Sequence, residues 1–273
     1  MSDGTYIRRP NRVLGIYAFV FLIVLYVPIL LIPVFSLNDS IYVRFPLQGF
    51  TTQWYGELMA RDAVWQALGA SLRVGIVVSV VSTLLGLLAA RAIARYRMPG
   101  RGALTTFVML PLVVPGIIFG VALLVFVSSM GVGLSLYTVA LGHLIVCLPF
   151  SVATLLPRFE SFDESLIEAS AVLGETPLWT FWRVTLPNVL PGVVASLLLC
   201  FTISFDEFIM AFFLSGTDAT LPMYIWSQLR FPQEFPSVLA LATVIIVASF
   251  ILVFAGLWIG RLGAVEHAGR SKR

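Results

Sequence analysis

Charge is scarce in this sequence: Lys, Arg, Asp and Glu are 11% of 273 residues, against 59% hydrophobic residues and a mean hydropathy of +0.97. A water-soluble enzyme and a disordered chain are both excluded, since too few polar side chains remain to cover a surface. Cysteine is nearly absent, and Cys147 and Cys200 both sit in apolar runs, so no secreted disulfide scaffold or redox framework is implied. Lysine is reduced to Lys272. A nucleotide-binding P-loop needs Lys followed by Ser or Thr after a Gly-rich turn, so no ATP-hydrolysing site of that kind is expected. His143 has no second His, Cys or carboxylate at ligand spacing and His267 lies in a hydrophilic tail. A polar packing role is therefore expected for His143, with no metal site. No Ser/His/Asp or Cys/His arrangement is evident, so no catalytic residue is expected. The net charge of +3 is spread among apolar segments rather than gathered on one face, which argues against a nucleic-acid partner.

What is present is length of apolar run. A bilayer core needs about 20 apolar residues per helix, and six runs qualify, at 13–36, 67–90, 103–127, 134–156, 189–214 and 237–260. The expected fold is all-α: a polytopic membrane protein of six transmembrane helices forming one domain over 1–273. The first run follows Arg8, Arg9 and Arg12, but it is too long for a signal peptide and no small-residue cleavage site follows, so it reads as a retained helix. With the N-terminus inside, the inner segments hold thirteen Lys and Arg, including Arg91, Arg95, Arg97, Arg101, Arg158, Arg183 and the tail, while the outer ones hold Arg44, Arg61 and Arg230. The positive-inside rule then places both termini in the cytoplasm. Pro28, Pro33, Pro111, Pro115, Pro149 and Pro191 mark kinks that neighbouring helices in a bundle can satisfy.

The inner segment 157–188, PRFESFDESLIEASAVLGETPLWTFWRVTLPN, reverses the local charge trend with Glu160, Asp163, Glu164, Glu168 and Glu175. Ser161 with Glu164 forms a capping-box pattern, apolar residues follow, and Gly174 suits a helix stop, so an amphipathic helix of about 12 residues is expected. Thr176 and Pro177 open a second short helix whose apolar face is Leu178, Phe181 and Trp182, with Pro187 closing it. By amphipathicity alone this remains either an interfacial connector or a docking element. Glu168, Ala169, Gly174, Val184, Leu186 and Pro187, with Ser170 in place of a second Ala, resemble the EAA loop of bacterial ABC importer permeases. That resemblance implies that these seven residues dock in a groove of an ATPase subunit and transmit its closure to the spans. It also implies a type I ABC importer permease fold in a bacterial inner membrane, with a second permease, two ATPase subunits and an extracytoplasmic solute-binding protein as partners. No cofactor would be held by this chain, ATP and Mg being bound by the ATPase subunits.

Charge inside a membrane is costly and tends to mark function, which singles out Asp206 and Glu207 in FTISFDEFIMAFFLSG. On one continuous helix ending at Leu214, Asp206 sits roughly 12 Å from the outer end, and the two acids point about 100° apart. One is then expected to line a path and the other to meet Arg73, itself about 9 Å deep in the second span. The alternatives are a structural ion cluster or an Arg73 that snorkels to headgroups. An inward carboxylate with aromatic neighbours suits a cationic solute. SFDEF, FFLSG, TLPMYIWSQLR and PSVLALATVI resemble the C-terminal third of spermidine/putrescine-type permease subunits, and FTTQWYGELM and ASLRVGIVVSVVSTLLG extend the likeness over nearly the whole chain. The resemblance implies polyamine import with Asp206, Glu207, Tyr224 and Trp226 along the solute path. Gly116 departs from it, standing where many members carry an acidic residue. An importer of another small solute (an iron complex, an amino acid derivative, an organic cation) and a stand-alone ion-coupled transporter remain the alternatives.

Overall fold

A computed structural model describes residues 12–96 and 99–270, with the backbone alone for 252, 253 and 255–270. Arg8, Arg9, Arg97, Lys272 and Arg273 lie outside the described residues, as do the side chains of Arg261, His267 and Arg270. The helices in chain order are α1 (Arg12–Ser36), α2 (Gln53–Met59), α3 (Asp62–Arg95), α4 (Arg101–Met109), α5 (Gly116–Ser129), α6 (Leu136–Glu160), α7 (Ser165–Val172), α8 (Pro177–Thr180), α9 (Leu186–Asp206), α10 (Ile209–Leu214), α11 (Leu221–Gln228) and α12 (Phe235–Arg270). Among the described residues, five helical stretches are long and apolar enough to cross a membrane, and α4 and α5 would make a sixth span as a bent pair.

The chain forms two compact units, one of the described residues in Met1–Arg61 and Gln228–Arg273, the other Asp62–Ser227. In the first, α1 packs along α12 and has no charge after Arg12. Its end is tied down by Ser36, whose hydroxyl donates to the Pro33 carbonyl at 2.8 Å and lies 2.6 Å from the Tyr55 hydroxyl. The buried Asn38 anchors the loop that follows: its carbonyl accepts Trp54 Nε1–H at 2.9 Å and its Oδ1 accepts the Gln48 amide at 3.0 Å. Arg61 and Glu234 pair on the same unit.

The second unit is built on α3, α6 and α9. α6 and α9 run antiparallel and meet every fourth residue, the ridge spacing of closely packed helices. His143 Nδ1 lies 2.9 Å from Ser204 Oγ, and the Cys147 and Cys200 thiols each donate to the other's carbonyl at 3.6 Å. Ser151 and Ser196 hydroxyls are 2.8 Å apart, and Gly192 lies against Leu155 and Arg158. α3 joins at the same level, with Thr83 Oγ1 3.0 Å from Ser196 Oγ. Gly86 makes the approach possible, since a Cβ there would lie 2.0 Å from Ser151 Oγ. Small residues and interhelical hydrogen bonds are what hold helices together in lipid, where apolar surface alone gives no preference for protein over acyl chain.

Two of the expected spans are broken. The third is not one helix over 103–127: α4 runs into a short 3-10 turn at Leu110–Leu112, and α5 leaves at 98°. Pro115 marks the bend: its backbone is extended (φ −55°, ψ 129°) just before α5, and it lacks the amide donor with which the preceding helix would continue, while Pro111 sits in the first turn of the 3-10 segment with Leu110 still helical. The fifth is not one helix over 189–214 either. α9 stops at Asp206, Glu207 is extended (φ −71°, ψ 112°), and α10 restarts at Ile209. Measuring depth along a single helix axis therefore fails for Asp206 and Glu207. At its other end α9 is longer than expected, because Pro187 does not close the preceding helix. A π turn, Phe181–Thr185, joins α8 to α9, and Pro187 falls in the first turn of α9, where a missing amide donor is tolerated.

Candidate functional site

Residues 161–187 hang from the ends of α6 and α9. α7 spans eight residues rather than about 12, because Ser161 is used in ending α6 and makes no cap. Asp163 starts α7 instead: its Oδ1 accepts the Ser165 amide at 3.0 Å. The Ser165 hydroxyl and amide hold the Asp163 carboxyl below its ordinary range. Gly174 ends α7 with φ +84°. The Gly174 amide donates to Ala171 O at 3.0 Å and the Glu175 amide to Ser170 O at 3.2 Å, which is a Schellman stop.

The EAA-like residues divide by direction. Glu168, Ala169 and Gly174 are exposed, together with Val172 and Leu173, which are 88% and 83% exposed. Ser170 turns inward, its hydroxyl 2.9 Å from Thr180 Oγ1, so the residue that departs from the loop pattern staples α7 to α8. Val184 and Leu186 are half-buried, Leu186 packing on the cluster of Leu87, Ala90, Leu155 and Val189, while Pro187 is exposed. Glu175 pairs with Arg183 at 2.5 Å, and Arg183 lies 4.7 Å from the Trp179 ring centre. Arg91 of α3 lies 4.4 Å from the centre of the Phe181 ring. These contacts tie α7 and α8 to α3 and α9.

The break in the fifth span gathers the second set. Asp206 is the last residue of α9 and its side chain is exposed. Glu207 Oε1 accepts the amides of Ile209 and Met210 at 2.9 and 3.1 Å. Phe208 packs on Trp226 with ring centres 5.3 Å apart and on Phe212 at 5.6 Å. Trp226 thus packs on the residue that follows Glu207. Gly116, first residue of α5, abuts Ile209, so the two helix breaks face each other.

Tyr224 is buried and lines a different space, a cavity of about 360 Å³ near the start of α3 whose polar lining is Gln66, Arg73, Thr217 and Asp218. Arg73 meets neither acid of the fifth span. Its Nε donates to Gly69 O at 3.1 Å, and among the described residues the ion pairs are those of Arg61, Arg101 and Arg183. Asp218 was not singled out from sequence. Only its place between Gly216 and Pro222, in a loop that folds over α3, distinguishes it.

A negative charge at a helix C-terminus, with aromatic faces beside it, has the chemistry of a cation site: the last carbonyls of α9 and the Asp206 carboxylate both present negative potential. Broken helices at membrane depth are also where transporters place solute and ion sites.

The family model described as "Binding-protein-dependent transport system inner membrane component" matches residues 82–262. The chain is 34% identical over 256 residues to the spermidine/putrescine transport system permease protein PotC of Escherichia coli (strain K12), covering 93% of this chain and 94% of that protein. It is 34% identical over 263 residues to the putrescine transport system permease protein PotI of the same strain, covering 93% and 92%. In fold it is similar to a chain of a bacterial ABC transporter involved in the import of the acidic polysaccharide alginate, with a TM-score of 0.68 at 19% identity, covering 91% of this chain and 96% of that one.

Proposed function

This chain belongs to the inner-membrane components of binding-protein-dependent transport systems, an ABC importer permease family, and we propose that it passes polyamines, spermidine or putrescine, through the membrane. The observation that carries the substrate is Asp206: an exposed carboxylate at the C-terminal end of a broken span, next to the Phe208–Trp226 pair. A polyamine is a flexible chain of ammonium groups joined by methylenes, and carboxylate plus aromatic faces match both parts. The similarity to PotC and PotI supports the same reading.

The chain works as one half of a transmembrane pair, with a second permease, two ATPase subunits and an extracytoplasmic solute-binding protein. Both termini face the cytoplasm, following the distribution of Arg and Lys. Residues 161–187 then lie on the cytoplasmic side, where the exposed Glu168, Ala169, Val172 and Leu173 meet the ATPase. Gly174 sets the stop of that helix, Ser170 braces it, and Val184, Leu186 and Pro187 carry its displacement into α9. Alternating access follows when the ATPases close. Asp206 and Trp226 flank the path, and Tyr224 lines its outer vestibule.

Uptake of labelled spermidine and putrescine into proteoliposomes of the complete complex, with ATP inside, tests this. Loss of ATP-dependent uptake in an assembled Asp206→Asn complex is expected. ATP hydrolysis without polyamine uptake by the native complex would overturn the substrate. A second reading rests on Arg73 and Asp218 lining one cavity: opposite charges there suit a zwitterionic amino acid derivative. Competition against spermidine uptake by such compounds separates the two.

A further inference from the structure

The two adjacent acids of the fifth span have different surroundings, and the difference decides what each can do. Asp206 completes α9 with its carboxylate exposed. Glu207 folds back along the chain, and one oxygen, Oε1, accepts two consecutive amides, Ile209 N–H at 2.9 Å and Met210 N–H at 3.1 Å. Those amides open a new helix and have no intrahelical acceptor. At membrane depth no bulk water replaces a missing acceptor, so a span can turn there only if the turn satisfies itself. The turn contains neither Gly nor Pro, and Glu207 takes an ordinary extended backbone (φ −71°, ψ 112°). The side-chain bonds, not backbone chemistry, account for its shape.

The short helix that Glu207 starts is a working part of the site. Met210, Ala211 and Leu214 are buried, and Leu214 and Met210 pack on Gly142 of α6. On its other side Phe213 fills the space over Gly120, and Phe208 and Phe212 form the aromatic group with Trp226. The position of the aromatic face relative to Asp206 is thus set through the Glu207 cap.

We propose that Glu207 is a positioning residue that acts through α10, leaving Asp206 as the acid of this pair that meets the solute; the solute half of the statement rests on the polyamine reading above. The assignment separates charge from hydrogen bonding. A Gln oxygen accepts the same two amides but carries no negative charge for an ammonium group. Glu207→Gln therefore keeps what a cap needs and removes what a cation ligand needs.

The test uses the whole complex, native and with Glu207→Gln, Glu207→Ala or Asp206→Asn, in two measurements. Hydrogen–deuterium exchange in lipid nanodiscs reads the amides of residues 207–214 without any solute. Glu207→Ala is expected to speed exchange at Ile209 and Met210 roughly fivefold, and Glu207→Gln to leave it within about twofold. Labelled spermidine uptake gives KM and maximal rate. Asp206→Asn is expected to raise KM about tenfold, Glu207→Ala to lower the maximal rate, and Glu207→Gln to leave both within about twofold. Unchanged exchange in Glu207→Ala would overturn the cap, and a KM in Glu207→Gln raised as far as in Asp206→Asn would overturn the division of roles. If Glu207→Ala does not assemble, the Gln and Asn variants decide by themselves. If the native complex hydrolyses ATP but takes up no spermidine, the polyamine reading falls, while the exchange measurement still decides whether Glu207 holds the turn.

Discussion

Gly116 opens the second half of the third span directly against Ile209, the first residue after the break in the fifth; a Cβ at Gly116 would lie 3.2 Å from Ile209 Cδ1. Two interruptions of helix therefore share one location, a few residues from Asp206. That end of the Ile209 side chain is flexible, so a small substituent at Gly116 is accommodated.

The first prediction follows from this proximity. Gly116→Asp adds a second carboxylate beside the break and is expected to lower the KM for spermidine several-fold more than for putrescine, which has fewer ammonium groups. Gly116→Ala is expected to leave both within about twofold. Uptake assays with the two polyamines side by side decide it, and an equal change for both would count against a cation site at the break.

Gly86 gives a packing prediction. A Cβ there would lie 2.0 Å from Ser151 Oγ and 2.7 Å from Ser151 Cβ, and a Ser side chain has no length with which to move aside. Gly86→Ala is expected to cost about 1–3 kcal/mol. The thermal midpoint of the detergent-purified complex should fall, and Ser151→Gly in the same chain should restore it.

Ser196 is the hub between Thr83 at 3.0 Å and Ser151 at 2.8 Å. Ser196→Ala removes both bonds, and interhelical hydrogen bonds in membranes are worth about 0.6 kcal/mol on average and up to about 1.7. A modest loss of stability with unchanged KM for solute is expected. A shift in KM would mean that the seam also shapes the solute path.

Gly174 has φ +84° and open space where a Cβ would stand. Within this chain, the cost of substitution therefore comes from backbone strain of about 1–2 kcal/mol and not from a clash. Gly174→Asp is expected to reduce co-purification of the ATPase subunits, and Gly174→Asn to reduce it less than Gly174→Val, because Asn tolerates left-handed backbone best among the three. Equal retention in all three would show that the stop is not needed for docking.

Most of the helices were legible because a bilayer leaves a chain few choices: an apolar run of sufficient length must be helical. Gly174 was legible for a similar reason, since a left-handed stop leaves few residues to choose from. The break after Asp206 was not. FTISFDEFIMAFFLSG contains no helix-breaking residue before Gly216, and the turn depends on a Glu207 side chain bonding forward, which an apolar pattern does not record. The expected start of α7 lies three residues too early, because Ser161 and Asp163 are both competent acceptors. Which of them is used depends on where α6 ends, a matter of tertiary packing. Ser170 looked like a neutral exchange for Ala, and its bond to Thr180 became visible only once the two short helices were side by side.

The pairings of α6 with α9, His143 with Ser204, Cys147 with Cys200, Ser151 with Ser196 and Leu155 with Gly192, advance four residues along one helix for every four back along the other, in a single antiparallel register. Such a seam works like a combination lock with every wheel on one shaft. Exchanging a residue disturbs one wheel, but inserting or deleting a single residue between 143 and 155, or between 192 and 204, turns all those beyond it by about 100°. Genetic drift in these two spans is therefore confined to substitution, and changes of length must accumulate in the loops outside them.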